Sequence, residues 1–211
     1  MMKNTQPFVA IIIPTLGRSS LQRAIDSLNR QTDKDWTGLV MFDGIKSPKS
    51  PNKKIQFFDC EKQRGAGSVR NQLLELFYQS KIMSKWIAFL DDDDEFKNTY
   101  VEKLKTHSKK DVDVVLFSFL KGRTSVPSPK TTELIRHNVG ISYAVRTTFL
   151  LKHTILFEEK RRMEDYEFIH ECEKQGANVF ITHDEQYIMN GISRWRKPDK
   201  EHCYQNNIKF M

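Results

Sequence analysis

Five consecutive acids, Asp91-Asp92-Asp93-Asp94-Glu95, follow directly on the apolar run Trp86-Ile87-Ala88-Phe89-Leu90. Carboxylates held this close repel one another, so a cluster of them calls for a cation. Hard, oxygen-preferring ions such as Mn²⁺ or Mg²⁺ suit that role, above all where a phosphate supplies the remaining ligands. The same acids also fit the first turn of a following helix, where the dipole favours negative charge. Glu164-Asp165 opens a helical pattern and offers a carboxylate for general-base work or for plain helix capping. Asp43, before Gly44, can accept hydrogen bonds from a base or ribose, or simply make an Asp-Gly turn. His183 beside Asp184 is either a metal ligand or an ordinary surface histidine; no second His or Cys stands at ligand spacing. Arg194, Trp195 and Arg196 form either a basic flap with an indole or a solvated turn.

These side chains need platforms. Phe8–Ile13 is a continuous β-branched run, the pattern of a central strand buried on both faces, and Pro14-Thr15-Leu16-Gly17-Arg18 is expected to break it into a turn. Ser19 or Ser20 caps a helix with Leu21, Ala24, Ile25 and Leu28 on one face. Gly38–Phe42 and Ile55–Phe58 read as strands, separated by an exposed, lysine-rich loop from Ile45 to Lys54. Arg64-Gly65-Ala66-Gly67-Ser68-Val69-Arg70-Asn71 opens the next helix. It resembles a dinucleotide fingerprint only superficially, because Arg70 takes the place of the third glycine and the segment follows the third strand. A turn that brings Arg70 and Asn71 to a ligand or to Asp91 is one reading; helix capping is the other.

Trp86–Leu90 is then a strand, and in open α/β sheets the functional crevice lies just past the carboxyl ends of such strands. A helix over Thr99–His107, a strand over Val112–Leu120 and a Pro/Ser/Lys-rich loop over Lys121–Lys130 follow. Val139–Val145 reads as a strand, Thr147–His153 as a short helix, and Glu164–Lys174 as a helix ended by Gly176. Asn178–Thr182 and Gln186–Met189 read as two further strands. The alternation implies an α/β fold with a parallel, Rossmann-like half sheet.

The chain has 211 residues, enough for one domain with a substantial core. Its +7 formal charge favours anionic ligands, yet the basic residues are scattered rather than massed, so nucleic acid is not an expected partner. Cys60, Cys172 and Cys203 lie far apart without C-x-x-C spacing and read as free thiols of a reducing compartment. Phe8–Ile13 is too short to cross a bilayer, and a cytoplasmic location is expected.

The ordered set of motifs resembles family-2-like glycosyltransferases of the GT-A fold over roughly residues 8–195. Ile11-Ile12-Ile13-Pro14-Thr15 with Arg18 is similar to that family's opening strand and turn, Asp43-Gly44 to its base-binding acid, and Gly67–Asn71 to its glycine-to-Arg-Asn segment. Phe89–Asp94 resembles its Phe-Leu-Asp-x-Asp-Asp metal motif, Gly140-Ile141-Ser142 with Arg146 the segment beneath the donor sugar, and Glu164-Asp165-Tyr166 its catalytic pair. The resemblance implies a mixed, mostly parallel sheet flanked by helices, with a nucleotide-binding half over about 1–95 and an acceptor and catalytic-base half over about 96–211. It implies a UDP-sugar donor, a glycan or saccharide acceptor, Mn²⁺ or Mg²⁺ as cofactor, and inversion by direct displacement.

Residue by residue, Thr15, Arg18 and Asp43 would hold the uracil end, with Pro14, Gly67, Arg70, Asp91 and Asp92 also on the nucleotide side. Asp93, with Asp91, would bind the metal. Asp165, beside Glu164, would deprotonate the acceptor. Gly140, Ser142 and Arg146 would lie against the sugar, and Arg194 and Trp195 would close on the phosphates. Four acids in one run leave the ligating pair open, and Asn190-Gly191 stands where many relatives carry a histidine-containing loop. Competing readings are a sugar-phosphate nucleotidyltransferase, which calls for a glycine-rich basic loop after the first strand, and a non-catalytic metal-dependent nucleotide- or glycan-binding domain. An aspartyl phosphatase would carry its acids after the first strand rather than the fourth.

Overall fold

The computed structural model describes residues 6–80, 83–136, 138–159 and 163–190. The first apolar run forms β1 (Val9–Thr15), buried at every position. β1 continues through Pro14 and Thr15 instead of breaking there. Leu90 N–H bonds the Ile12 carbonyl at 3.0 Å, so alternate residues of β1 turn their backbone groups toward the next strand on that side. Pro14 falls on that side, just past the last partner, where a missing N–H leaves no ladder bond unmade.

β1 lies between β2 (Trp36–Asp43) and β4 (Trp86–Phe89), parallel to both, with β3 (Ile55–Cys60) parallel to the outer edge of β2. Helices α1 (Leu21–Asn29) and α2 (Ala66–Gln79) complete this half. The apolar face of α1 is the expected one, although Ser20 at its N-cap makes no side-chain capping bond.

The second half adds β5 (Glu95–Phe96), α3 (Tyr100–His107), β6 (Val114–Lys121), β7 (Thr124–Val126), β8 (Tyr143–Arg146), α4 (Thr147–His153), α5 (Glu164–Lys174) and β9 (Val179–Met189). The sheet order is β3-β2-β1-β4-β8-β6-β9-β5, with β7 pairing β6. It is a mixed, mostly parallel sheet flanked by helices, as expected.

Four local expectations change. The acids do not open a helix, because α3 begins only at Tyr100 and Asp91–Asp94 form a turn closed by Asp94 N–H on the Asp91 carbonyl at 3.2 Å. The stretch after Lys121 is a hairpin turning at Gly122 (φ +64°), not a loop throughout. Of Val139–Val145, only Tyr143 onward is strand. The two late strands are one, β9, whose register against β6 shifts around Ser118.

Phe89, the last residue of β4, is fully buried and meets Tyr143, Phe157 and Phe168 edge-on at 5.7, 5.1 and 5.6 Å between ring centroids. Phe157 and Phe168 stack at 4.0 Å, so the strand bearing the acids and helix α5 share one aromatic core. Cys60 and Cys172 are free and buried, and Cys203 lies outside the described residues. Among the described residues no helix is long and apolar enough to cross a membrane. Phe89→Ala is expected to lower stability by about 3–5 kcal/mol, the usual cost of emptying a packed aromatic site, read from a denaturant midpoint shift at unchanged slope.

Candidate functional site

Chain order places β2 on one side of β1 and returns through α2 to place β4 on the other. The carboxyl ends of β1 and β4 therefore flank a topological switch point, the crevice where open α/β sheets bind ligands. Thr15 ends β1 and the acidic turn follows β4 at this crevice.

The four aspartates divide by direction. Asp91, Asp93 and Asp94 can bring one oxygen each within 4.8 Å of the others. This all-carboxylate donor set fits a hard divalent cation. Burial and the neighbouring Asp91 push the Asp94 carboxyl up to about 7 and raise that of Asp93 as well. Crowded, desolvated acids of this kind are what a bound cation stabilises. Asp92 turns the other way: it is 1% exposed, accepts the Thr15 hydroxyl at 2.6 Å and faces Arg18 at 3.5 Å. Burial pushes its carboxyl up to about 7 despite Arg18 and Thr15. Asp94 therefore joins the expected Asp91 and Asp93, while Asp92 braces the turn from below.

Arg70, on α2, is 2% exposed and links this turn to α5. Its guanidinium contacts Asp91 at 2.6 Å and Asp165 at 3.1 Å, with Glu164 at 3.8 Å and the Phe157 ring 5.1 Å away. Burial alone would lower its pKa, but Asp91 and Asp165 outweigh it and the group is held charged. For Asp165, burial raises the carboxyl pKa, Arg70 opposes, and Asp91 and Glu164 add to the rise. Asn71, the next residue, clamps the segment leading to α5: its amide donates to the Phe157 carbonyl at 2.9 Å and accepts from Phe157 N–H at 2.8 Å. Tyr143 donates its hydroxyl to the Asp165 carbonyl at 3.1 Å.

The acids thus stand beside the catalytic-base candidates, not in open solvent. Met163, just before α5, holds φ +69°, an unusual backbone state for a non-glycine residue directly against Glu164 and Asp165.

Other expected residues sit differently. Asp43 is buried and accepts the backbone N–H groups of Arg64 and Gly65 at 2.8 and 2.9 Å, shaping the entry to α2. Thr15 is fully buried on Asp92, and Pro14 is buried inside β1. At Gly67 a Cβ would meet the Glu158 carbonyl oxygen at 2.9 Å, so its lack of a side chain serves packing. Gly140 packs on Phe119, and Ser142 is buried with its hydroxyl on the Phe117 carbonyl at 2.8 Å. Arg146 is a correction: it pairs with Trp86 at the amino end of β4, away from the acids. There it donates to the Lys109 and Val112 carbonyls and covers the Trp86 ring at 4.9 Å. His183 is exposed and outside the acidic cluster, in keeping with the ordinary surface histidine that was one of its two readings, while Asp184 pairs with His107 at 2.8 Å. Arg194 and Trp195 lie outside the described residues.

Sequence reasoning missed Tyr187 and the backbone of Asn190. The Tyr187 hydroxyl donates to Asp94 at 2.9 Å and accepts Asp91 N–H at 3.3 Å, and Asn190 N–H donates to Asp94 at 2.9 Å. The end of β9 thereby grips the acidic turn. Local pattern does not single Tyr187 out, because Gln186 beside it is buried as well.

A sequence-family profile described as Glycosyl transferase family 2 matches residues 10–175. No curated protein matches the chain. Among solved structures, S. aureus TarS 1-349 in complex with UDP-GlcNAc superposes with TM-score 0.69 at 20% identity, covering 95% of this chain and 61% of that one. The mannosyltransferase PcManGT from Pyrobaculum calidifontis, in complex with GDP-Man and Mn2+, superposes with TM-score 0.65 at 14% identity, covering 91% of this chain and 59% of that one. This chain therefore spans about three-fifths of those two chains.

Tyr187→Phe removes one hydroxyl that serves two acids' segments. It is expected to cost about 1–3 kcal/mol in denaturant unfolding, since it strips a buried carboxylate and a backbone N–H of a shared partner.

Proposed function

This chain belongs to glycosyl transferase family 2, and we propose that it moves a sugar from a UDP-sugar to a hydroxyl of a glycan or saccharide, with inversion at the anomeric carbon. The observation that carries this reading is the Arg70 bridge, which sets a metal-competent acidic turn beside Asp165. We assign the nucleotide to the half over about 1–95 and the acceptor with its base to the half over about 96–211.

Asp91, Asp93 and Asp94 would hold Mn²⁺ or Mg²⁺. When bound, such an ion supplies positive charge to the diphosphate as it leaves. Asp165 accepts the proton of the attacking hydroxyl; the oxygen forms its bond to the anomeric carbon as the bond to UDP breaks and the electron pair leaves with the diphosphate. A carboxyl pKa raised toward neutrality makes Asp165 a stronger base, while Arg70 keeps part of it ionised. Glu164 adds negative charge beside it. Arg18, which faces Asp93 at 3.5 Å on the rim of the acidic turn, would meet the nucleotide, and Asp43 would order the Arg64–Gly65 backbone for it. Thr15 and Asp92 hold the turn's shape from inside. Gly140 and Ser142 shape the floor on the sugar side.

Asp165→Asn is expected to lower kcat by about 10²- to 10⁴-fold while UDP affinity stays within about twofold, measured by transfer assay and calorimetry. Equal turnover in that variant would remove Asp165 from the mechanism. In the parent enzyme, kcat/KM should rise with pH through a limb above the ordinary carboxylate range, because the base must be deprotonated and its pKa is raised. Calorimetry should also show UDP binding that strengthens with Mn²⁺, and Asp93→Asn should abolish that gain while unfolding remains cooperative. Binding indifferent to the ion would dismiss the cluster as a metal site.

A further inference from the structure

We propose that Arg23, on α1, is a positioning residue for the metal site, a role that rests on the sugar-transfer reading and extends it to a residue outside the acidic turn. Two of the three convergent acids are held by their own side chains: Asp91 by Arg70 at 2.6 Å, and Asp94 by the Tyr187 hydroxyl and the Asn190 N–H at 2.9 Å each. The Asp93 carboxylate meets Arg18 at the longer distance of 3.5 Å.

Asp93 is fixed more firmly through its backbone. The Asp93–Asp94 peptide joins two of the three proposed ligands. Its N–H, on Asp94, bonds the Asp91 carbonyl at 3.2 Å, and its carbonyl, on Asp93, accepts Nη2 of Arg23 at 2.7 Å. The N–H and the carbonyl of a planar trans peptide point opposite ways, so a unit bonded at both ends cannot rotate without losing both bonds. Pinning it sets ψ of Asp93 and φ of Asp94, and through them the direction in which both carboxylates leave the chain.

A row of polar residues puts Arg23 there. Residues 23, 27 and 31 stand four apart, the spacing of one helix face. The fully buried Ser27 accepts Phe96 N–H on its hydroxyl at 3.2 Å. Gln31, 1% exposed, donates to the Lys97 carbonyl at 2.8 Å and accepts Val101 N–H at 3.1 Å. Buried bonds thus register α1 against the chain leaving the acidic turn, and Arg23 is the member of the row that reaches the turn itself. Glu95 aims its guanidinium: Nε meets Oε1 at 3.5 Å, an oxygen that also accepts the Asn190 amide at 2.8 Å, while Arg30 takes the other oxygen at 2.8 Å.

Two effects of Arg23 on a divalent cation compete, with opposite signs. As a bare positive charge it repels the ion, so its removal would tighten binding. As the holder of the peptide between two ligands, its removal loosens the donor set, and losing such an outer partner costs about 10- to 100-fold in metal affinity. Glu95 lies against the guanidinium and offsets its charge, which leaves positioning as the larger effect. The Arg23 side chain is 44% exposed, and surface contacts of this kind add little to overall stability, so the loss falls on the site rather than on the fold.

The test is calorimetric titration of UDP into the full chain, metal-free and at a series of Mn²⁺ concentrations, for the parent, Arg23→Ala and Arg30→Ala. The Mn²⁺ concentration that gives half of the gain in UDP affinity is expected to rise about tenfold in Arg23→Ala, with metal-free UDP affinity within about twofold of the parent. Arg30→Ala leaves the Asp93 carbonyl and its donor in place and should titrate like the parent. A half-gain concentration in Arg23→Ala that is unchanged or lower overturns the proposal. An equal rise in Arg30→Ala also overturns it, by tracing the effect to Glu95. A fall in metal-free UDP affinity would make Arg23 a nucleotide contact and overturn it likewise. A parent that gains nothing from Mn²⁺ dismisses the metal site as a whole, whereas a parent and an Arg23→Ala variant that gain alike dismiss Arg23 alone.

Discussion

A guanidinium sealed inside a protein is tolerable only where carboxylates meet it, and the site depends on that requirement at Arg70. With 2% of the residue exposed, Arg70 cannot fall back on water. It must keep Asp91 from the turn after β4 and Asp165 from the start of α5. Those two acids are themselves only partly exposed, at 22% and 28% of their side chains, so the attraction is weakly screened. One cation thus holds together two segments separated by more than seventy residues of chain, and in doing so fixes how far the acidic turn stands from the candidate base.

The scaffold serves that link at several points. β4 is parallel to β1 and ends where the sheet's order reverses, so its acids emerge into a crevice rather than onto a flat face. Beneath α5, the rings of Tyr143, Phe157 and Phe168 stack around Phe89, which belongs to the strand that carries the acids. Asn71 secures the Phe157 backbone from the residue next to Arg70. Neighbouring positions on α2 therefore hold the charges and the chain segment that presents them. On the far side, Tyr187 and Asn190 tie the same turn to β9, which leaves Asp91, Asp93 and Asp94 convergent.

Much of this was legible in the sequence because it rests on local pattern. The buried strand before the acids, the helix from Glu164 to Lys174 and the order of the elements all follow from periodicity and chain punctuation. What escaped depends on tertiary context. Whether Asp92 or Asp94 faces the cluster is set by Thr15 and Tyr187, which reach the turn from β1 and β9. Pro14 stays in its strand only because the neighbouring strand has already ended. Arg146 follows a motif that resembles a sugar-binding segment, yet β8 runs antiparallel to β4, and each step along it leads away from the acids. Asp43 and Gly67, expected on the nucleotide, also shape the backbone around α2, which pattern does not reveal.

Gly67 carries a consequence for remodelling this protein. The carbonyl of Glu158 occupies the volume that a methyl group on α2 would need, at 2.9 Å from where that carbon would stand. Even the smallest side chain there would act as a shim, prying the approach to α5 off the helix that anchors it. The gap across which a proton would be handed over is thus gauged by an omitted atom, and any redesign of the acceptor half that thickens this seam retunes the chemistry without altering a reactive group.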